Sequence, residues 1–520
     1  MIIILQIVKK SILGLLAVII DLGDKMYATV KELENITLSG DLEKDIALFK
    51  NIFKKEAILR VKRVKVRNTV SFDCAIMYFD GMVDSNQLNE GIIKSLITVD
   101  RQNDSPTLAD FIETQILFAR DIKKQTKVSD ILNGIMFGET ILLIDKSKEA
   151  LAVDTKGFSM RGINEPQDER VLQGPREGFV ENGLSNIALI RRKLQTPDLC
   201  CEVMRVGKRS NTMIFICYLE SLANPKTVRK LKEKISKINI DGILDTNYIA
   251  ENIRDSKYSV FKTTGSTERP DVVAAKLLEG RIAVVVNGTP VVLTLPFLFS
   301  ENFQSDEDYY LNFLVSSVGR ILRFFSFFLA VSIPAIFIAL SSFHRELLPT
   351  ALAVSVSSLR GGVPFAPLTE CLIMIFVFEI LKETGVRMPQ SLGHALSIVG
   401  GLVVGQAAVE ARIISTPMLI VIALSGIAGL MIPRLRGAVF YLRLLYVFLS
   451  AVLGLWGFFV GVSITIIHIL SLESFGVDYT ISLKRADFQS LKDTFWRASW
   501  RDMMKRPAFN HNIIRSRKEK

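Results

Sequence analysis

The chain has 520 residues, of which 49% are hydrophobic and 22% charged, with a formal net charge of +11. The apolar residues concentrate beyond about residue 320, which excludes a uniformly globular chain and points to a soluble region followed by membrane segments. The basic excess goes to topology and anionic lipid, since no RNA- or DNA-binding motif is present, and the four histidines and five cysteines offer neither HExxH nor CxxC spacing for a metal.

The N-terminal run MIIILQIVKKSILGLLAVII is apolar, but Lys9 and Lys10 cut it into pieces too short to cross a bilayer. No small-residue cleavage site follows, and a second start lies at Met26. Residues 1–25 are expected to be an upstream mis-start or a membrane-surface helix rather than a signal peptide.

From Met26 to Tyr310 the pattern is mixed α/β and internally duplicated. FDCAIMYFDGMVD (Phe72–Asp84) and TMIFICYLESLAN (Thr212–Asn224) each read as a short strand ending at an acid, Asp80 or Glu220, followed by a helical stretch. GETILLID (Gly138–Asp145) and GRIAVVVN (Gly280–Asn287) each run from a glycine to an Asp or Asn that opens a hairpin turn. The acid precedes its glycine by 58 positions in one copy and 60 in the other. The expectation is two α/β modules, 26–205 and 206–310, divided near Val206–Asn211. No GxxxxGK[ST] or GxGxxG joins a strand to a helix, so nucleotide hydrolysis lacks its phosphate cradle. GPREGF (Gly174–Phe179) offers an anion-binding reading through Arg176; the commoner outcome for such a loop is a structural turn with Arg176 paired to Glu177 or a neighbouring acid. Asn287 in NGT reads as a hairpin turn rather than a glycosylation site.

Residues 311–472 read as a helical polytopic membrane domain. ILRFFSFFLAVSIPAIFIAL (Ile321–Leu340) has the length of a span, with Pro334 inside it. Val363–Leu381 and Arg412–Ile432 are further candidates, and Val439–Leu470 is either one long tilted helix or two shorter pieces. His394–Ala411, glycine-rich and interrupted by Gln406, reads as a half-helix or re-entrant segment. The tail, 473–520, is basic: from Lys484 to Lys520 it holds eleven basic residues against four acidic, which reads as cytoplasmic. Arg320 and Arg323 place the N-terminal region on the same side, so the number of crossings is even; four is expected and six is the alternative.

Several polar residues interrupt the apolar segments. Along the Gly400 stretch Ser397, Gly401, Gly405 and Ala408 share one helical face, suited to close packing, while Gln406 and Glu410 fall nearly opposite and cannot rest in lipid. Gly457 and Gly461 form a second small-residue ridge. Pro364 and Pro367 mark a helix break just before Glu370, which ranks first as a cation-attracting site, with Glu410 and Gln406 as further pore or coupling candidates. The structural alternative has Glu370 and Glu410 neutralising Arg360 or Arg412 inside the bundle. Glu379 and Glu383 are assigned to the interface.

The strings GPREGFVENGLSNIALIRRKL, DGILDTNYIAENI, ERPDVVAAKLLEGRIAVVVNGTPVVLTLP, FHRELLPTAL, GVRMPQSLGHALSIVGGLVVGQAAVEARIIS and HILSLESFGVDY resemble the A subunits of the GerA family of bacterial spore germinant receptors. The resemblance runs from about residue 60 to 507. It implies a place in the inner spore membrane, where the basic tail and Arg320/Arg323 put both termini on the cytoplasmic side, beside a transporter-like B subunit and a lipoprotein C subunit. It also implies a homo-oligomer, a pentamer on the family's pattern, acting as a nutrient-gated ion channel without cofactor, metal or catalytic residues. Two departures stand at ends of membrane segments: PFAP (Pro364–Pro367) where the family reads PFP, and Asp478 where a proline is common. Beside the channel stand a non-conducting scaffold or signalling subunit, and a secondary transporter, for which the inverted repeat is not seen.

Overall fold

The computed structural model describes residues 36–67, 71–98, 107–119, 121–157, 166, 169, 171, 173–387, 403–480, 493–503 and 506. Residues 1–25, Ser397, Gly401 and most of the basic tail fall outside them.

The first unit begins with helix α1 (Leu42–Ile52), capped by Asp41, whose carboxylate accepts from the backbone amides of Glu43 and Lys44. Strands β1 (Leu59–Arg67) and β2 (Ser71–Phe79) form a long antiparallel pair. After a helical stretch at Gln87–Lys94 come β3 (Ile122–Gln125), helix α2 (Val128–Met136), β4 (Thr140–Ile144) and β5 (Ala150–Val153). The sheet order is β1-β2-β4-β5-β3, antiparallel throughout.

Helix α3 (Gly183–Lys193) leads into the second unit, built from β6 (Leu199–Val206), β7 (Thr212–Leu219), α4 (Pro225–Ser236), α5 (Thr246–Ile253), β8 (Gly265–Thr267), α6 (Pro270–Leu278), β9 (Ile282–Val286) and β10 (Val292–Leu295). Its sheet order, β6-β7-β9-β10-β8, repeats that of the first strand for strand. Asp80 and Glu220 follow the ends of the equivalent strands β2 and β7. The backbone amide of Asp80 donates to the carbonyl of Ile58 at 2.9 Å, and that of Glu220 to Asp198 at 3.0 Å, each just ahead of the neighbouring strand. Gly138 (φ 92°) and Gly280 (φ 80°) end α2 and α6 in the left-handed region that favours glycine. The hairpin turns also correspond, with Lys146 at φ 61° and Gly288 at φ 102°.

The division at Val206–Asn211 needs correction. Strand β6 belongs to the second sheet, so that unit starts before Leu199. The duplicated strings begin at the second strand of each sheet and leave out the first, whose lysine- and arginine-rich β1 bears little likeness to the LCCEVMRV of β6.

Both sheets are covered on both faces. Their inner faces share one apolar core with α1, α2, α3 and α6, from Phe79 and Met77 to Phe215 and Val285. The outer faces carry separate cores, one under Gln87–Lys94 and one under α4 and α5. This double burial explains the unbroken apolar runs of β4 and β9.

The C-terminal region is a helical bundle: α7 (Phe313–Ser342), α8 (Thr350–Leu359), α9 (Pro367–Arg387), α10 (Thr416–Leu430), α11 (Arg436–Leu453) and α12 (Leu455–Ser471). Among the described residues two helices are long and apolar enough to cross a membrane, Phe313–Ser342 and Pro433–Leu453. The Arg412–Ile432 candidate contains a helix of only 15 residues, α10. Val439–Leu470 resolves into two helices, because Gly454 (φ 62°, ψ −141°) breaks the chain between α11 and α12. They fold back on each other, with Tyr446 Oη donating to Thr465 Oγ1 at 2.9 Å. Of the His394–Ala411 candidate, residues 403–410 are described and are helical. A two-stranded ribbon, β11 (Glu473–Ser474) with β12 (Val477–Asp478), follows α12 and returns the chain to the second unit; Asp478 thus stands in a strand.

Candidate functional site

The second unit and the bundle meet through buried charge. Two short 3₁₀ turns, Phe299–Phe303 and Asp306–Tyr309, lead into α7, whose N-cap Asn312 accepts from the Leu314 amide at 2.9 Å. Asp308 is 1% exposed and takes both guanidinium groups of the first turns of α7: Arg323 as a fork at 2.7 and 2.9 Å, and Arg320 Nε at 3.2 Å. Arg320 turns its other end to the tail, donating to the Asp493 carboxylate and carbonyl, each at 2.8 Å. Arg497 donates to the carbonyls of Asp308 and Leu311, each at 2.7 Å. Tyr309 Oη completes the group by donating to Asp493 at 2.9 Å. Burial raises the Asp493 carboxyl above its ordinary range against the opposing pull of Arg320.

Two further clusters continue this seam. Glu301, 1% exposed, accepts from Arg281 at 2.5 Å, from Lys276, and from the Leu298 amide at 2.7 Å. Burial works against its charge, yet Arg281 and Lys276 hold its carboxyl below the usual range. Arg434, just before α11, donates to Asp306 at 3.1 Å and Glu169 at 3.4 Å, and to the carbonyls of Glu301 and Gln304. The α/β region, the entry to α7, the entry to α11 and the tail therefore share one polar seam. Arg320 and Arg323 are thus more than markers of topology; the acids that receive them, Asp308 and Asp493, lie in the separate strings EDYY and LKDTF.

Inside the bundle Pro334 lacks an amide hydrogen and so leaves the carbonyl of Ala330 without its helical donor. Ser425 Oγ of α10 donates to that carbonyl at 2.7 Å and Arg443 Nε of α11 at 3.0 Å. Arg443, 1% exposed, also donates to the Ser425 carbonyl at 3.2 Å. One missing hydrogen bond thus ties three helices together. Arg443 escaped the sequence reading; an arginine in an apolar run, with a proline in another, was its only signal.

Glu370, in the first turn of α9, is fully buried. Its Oε2 accepts from the Ser415 amide at 3.0 Å and Oγ at 2.7 Å, and its Oε1 from Arg360 Nη2 at 3.2 Å. Ser415 is the N-cap of α10, so the carboxylate sits at that helix's positive end as well as beside a guanidinium. Pro367 opens α9, where its missing N–H is harmless, and Pro364 precedes it in the loop. Glu410 instead accepts from Gln406 Nε2 at 2.9 Å, and both side chains are exposed. Gly405 is buried on the opposite side, facing Leu419, 3.5 Å from where a Cβ would stand. Gly457 and Gly461 face α11: a Cβ on Gly457 would lie 2.0 Å from the Leu449 carbonyl oxygen, and one on Gly461 2.9 Å from the Tyr446 ring. Glu379 and Glu383 reach Arg436 at 3.9 and 3.5 Å, and Glu379 also pairs with Lys382.

Elsewhere, Glu177 in GPREGF pairs with Arg192 and Lys193, and the Pro175 carbonyl accepts from Arg269 at 2.9 Å. Asn287 Oδ1 accepts from the Gly183 amide at 3.0 Å at the hairpin tip. Among the described residues no group of three or more His, Cys, Asp and Glu is gathered as a metal site.

Residues 47–509 match the family model described as Bacillus/Clostridium GerA spore germination protein. The chain is 37% identical over 474 residues to spore germination protein KA of Bacillus subtilis, covering 91% of this chain and 87% of that protein. It is 34% identical over 438 residues to spore germination protein GerLA of Bacillus cereus, covering 84% and 89%. A crystal structure of the N-terminal domain of the A subunit of the Bacillus megaterium spore germinant receptor GerK3 is 30% identical, covers 51% of this chain and 98% of its own, and superposes with a TM-score of 0.40.

Proposed function

The chain belongs to the GerA family of spore germination proteins, and from that membership we propose that it is the membrane-embedded signalling scaffold of a spore germinant receptor, passing the nutrient signal between its α/β units and its helical bundle. The observation that carries this reading is the buried seam at Asp308, where both arginines of the α7 entry and the tail residue Asp493 converge. A displacement of the second unit cannot leave these charges unpaired without a large cost, so the bundle has to follow. The tail packs on the same end of α7 as the α/β region, which agrees with both termini lying on the cytoplasmic side of the inner spore membrane. The working partners are the transporter-like B subunit and the lipoprotein C subunit.

A second reading, the oligomeric nutrient-gated channel, has its own observation. Helix α8, TALAVSVSSL, has no buried residue in the single chain although it is largely apolar and small. Copies of it gathered around an axis, as in a pentamer, would cover this surface and line a conduit, with the exposed Gln406 and Glu410 as further coupling or pore residues.

The test is Asp308→Asn, with Arg323→Lys as a milder companion that keeps the charge and loses the fork. Spores carrying either variant should lose refractility more slowly on nutrient addition when the response is normalised to the receptor level in the membrane, with the milder loss of protein in Arg323→Lys. A normal response at normal level sinks the coupling reading. Cation flux through the purified protein in liposomes, present without partners, would favour the channel instead.

A further inference from the structure

The loop after α5 is held against the last turn of α12. Ser259 Oγ lies 3.0 Å from His468 Nε2, and Phe261, 1% exposed, enters the bundle core with its ring 6.1 Å from His468 and 6.0 Å from Phe299. Between and beside these anchors, Tyr258 is 97% exposed and Val260 38%. The exposed apolar face of α12, Ile464, Ile467 and Leu470, runs down to this same turn. A bulky aromatic with one polar end, fixed where a lipid-facing stripe stops, matches the headgroup layer of a bilayer.

The charges agree. Arg254, Lys257 and Lys262 surround Tyr258 and pair with no carboxylate among the described residues. The acid between them, Asp255, is engaged by Lys230 at 3.0 Å, Lys234 at 2.7 Å and the Phe475 amide at 2.7 Å. The loop therefore presents uncompensated positive charge around its aromatic tip, which suits anionic lipid.

We propose that residues 254–262 form a membrane-surface anchor, with Tyr258 and Val260 in the headgroup layer and Lys257 and Lys262 on anionic lipid phosphates. This rests on the reading of the bundle as membrane-embedded. Its consequence is that the second α/β unit is fixed to the bilayer as well as to the helices, so lipid composition bears on how that unit moves.

The experiment uses the full-length protein in nanodiscs, with bimane attached at Tyr258→Cys, at Ile467→Cys as a lipid control and at Phe118→Cys as a water control in the first unit. The five native thiols are buried and stay unlabelled. The expected result is quenching of the Tyr258 position by lipid spin-labelled near the headgroup, more than by lipid labelled deep in the chain, with aqueous iodide quenching at least two-fold weaker than at Phe118. Shallow-label quenching should be stronger in phosphatidylglycerol than in phosphatidylcholine discs, and Lys257→Gln with Lys262→Gln should remove that difference. Iodide quenching at 258 equal to that at 118, or protection from both lipid and iodide quenchers as under another protein chain, overturns the anchor while lipid quenching at 467 leaves the membrane reading standing. Absence of lipid quenching at 467 overturns both.

Discussion

Glu370→Gln separates a structural clasp from a pore acid. The carboxylate is fully buried, and its partner Arg360 keeps 17% of its side chain exposed. Removing one member of a buried ion pair costs about 3–5 kcal/mol, and the partial hydration left to Arg360 brings the expectation down to about 2–3 kcal/mol. Glutamine keeps an acceptor for Ser415, so the bonds at 2.7 and 3.0 Å weaken from charge-assisted to neutral rather than vanish. Arg360→Gln alone should cost a similar amount, and the double variant less than the sum, with a coupling energy of about 1–2 kcal/mol. Thermal unfolding of the four proteins in one detergent gives the cycle; Glu383→Gln, whose half-exposed side chain meets Arg436 at 3.5 Å, is the control and should stay within about 0.5 kcal/mol. A coupling below about 0.3 kcal/mol, or unaltered stability together with reduced cation flux in Glu370→Gln, refutes the clasp and returns the residue to the pore.

Three further outcomes are expected. Ser425→Ala should cost about 1 kcal/mol in the native background and close to nothing with Pro334→Ala, which gives the Ala330 carbonyl a helical donor; equal costs in both backgrounds would remove the proline from the explanation. Gly457→Ala places a Cβ 2.0 Å from the Leu449 carbonyl and should lower stability by about 2–3 kcal/mol, more than Gly461→Ala, which meets side chains alone, the Tyr446 ring and the end of Leu449; the reverse order in thermal melts contradicts the hairpin packing. Glu56, 2% exposed on its side chain and paired with the buried Arg191 of α3, is pushed by burial up to about 7 despite that arginine. Its folded state binds the proton more tightly than the unfolded state, so the contribution is full below about pH 4.5 and is lost as pH rises through about 7, roughly 3 kcal/mol in all. Amide-exchange protection factors in α3 and β6, corrected for the intrinsic pH dependence of exchange, should fall over that range, and Glu56→Gln should flatten the fall; an unaltered profile in the variant excludes Glu56 as its source.

The amino-acid sequence by itself determined what depends on short stretches of chain. The duplicated strand-to-acid and glycine-to-turn strings predicted two units of equal strand order, because a strand end, a helix-ending glycine and an Asn-Gly hairpin each impose local backbone geometry. The apolar runs and the proline interruption at Pro364 and Pro367 were legible for the same reason, whereas the point at which Val439–Leu470 divides was not. The family strings, being contiguous stretches of chain, suffice to place it in its family. Tertiary structure decided what depends on which distant groups meet. Nothing local tells that the β6 stretch pairs into the second sheet, that Glu370 faces Arg360 and Ser415 together, or that Asp308 receives two arginines of α7 while Asp493 of the tail receives one. Arg443 shows the cause most plainly: its acceptor exists only because a proline on another helix frees a carbonyl, and an unpaired polar group in an apolar bundle finds its partner through packing geometry rather than sequence proximity.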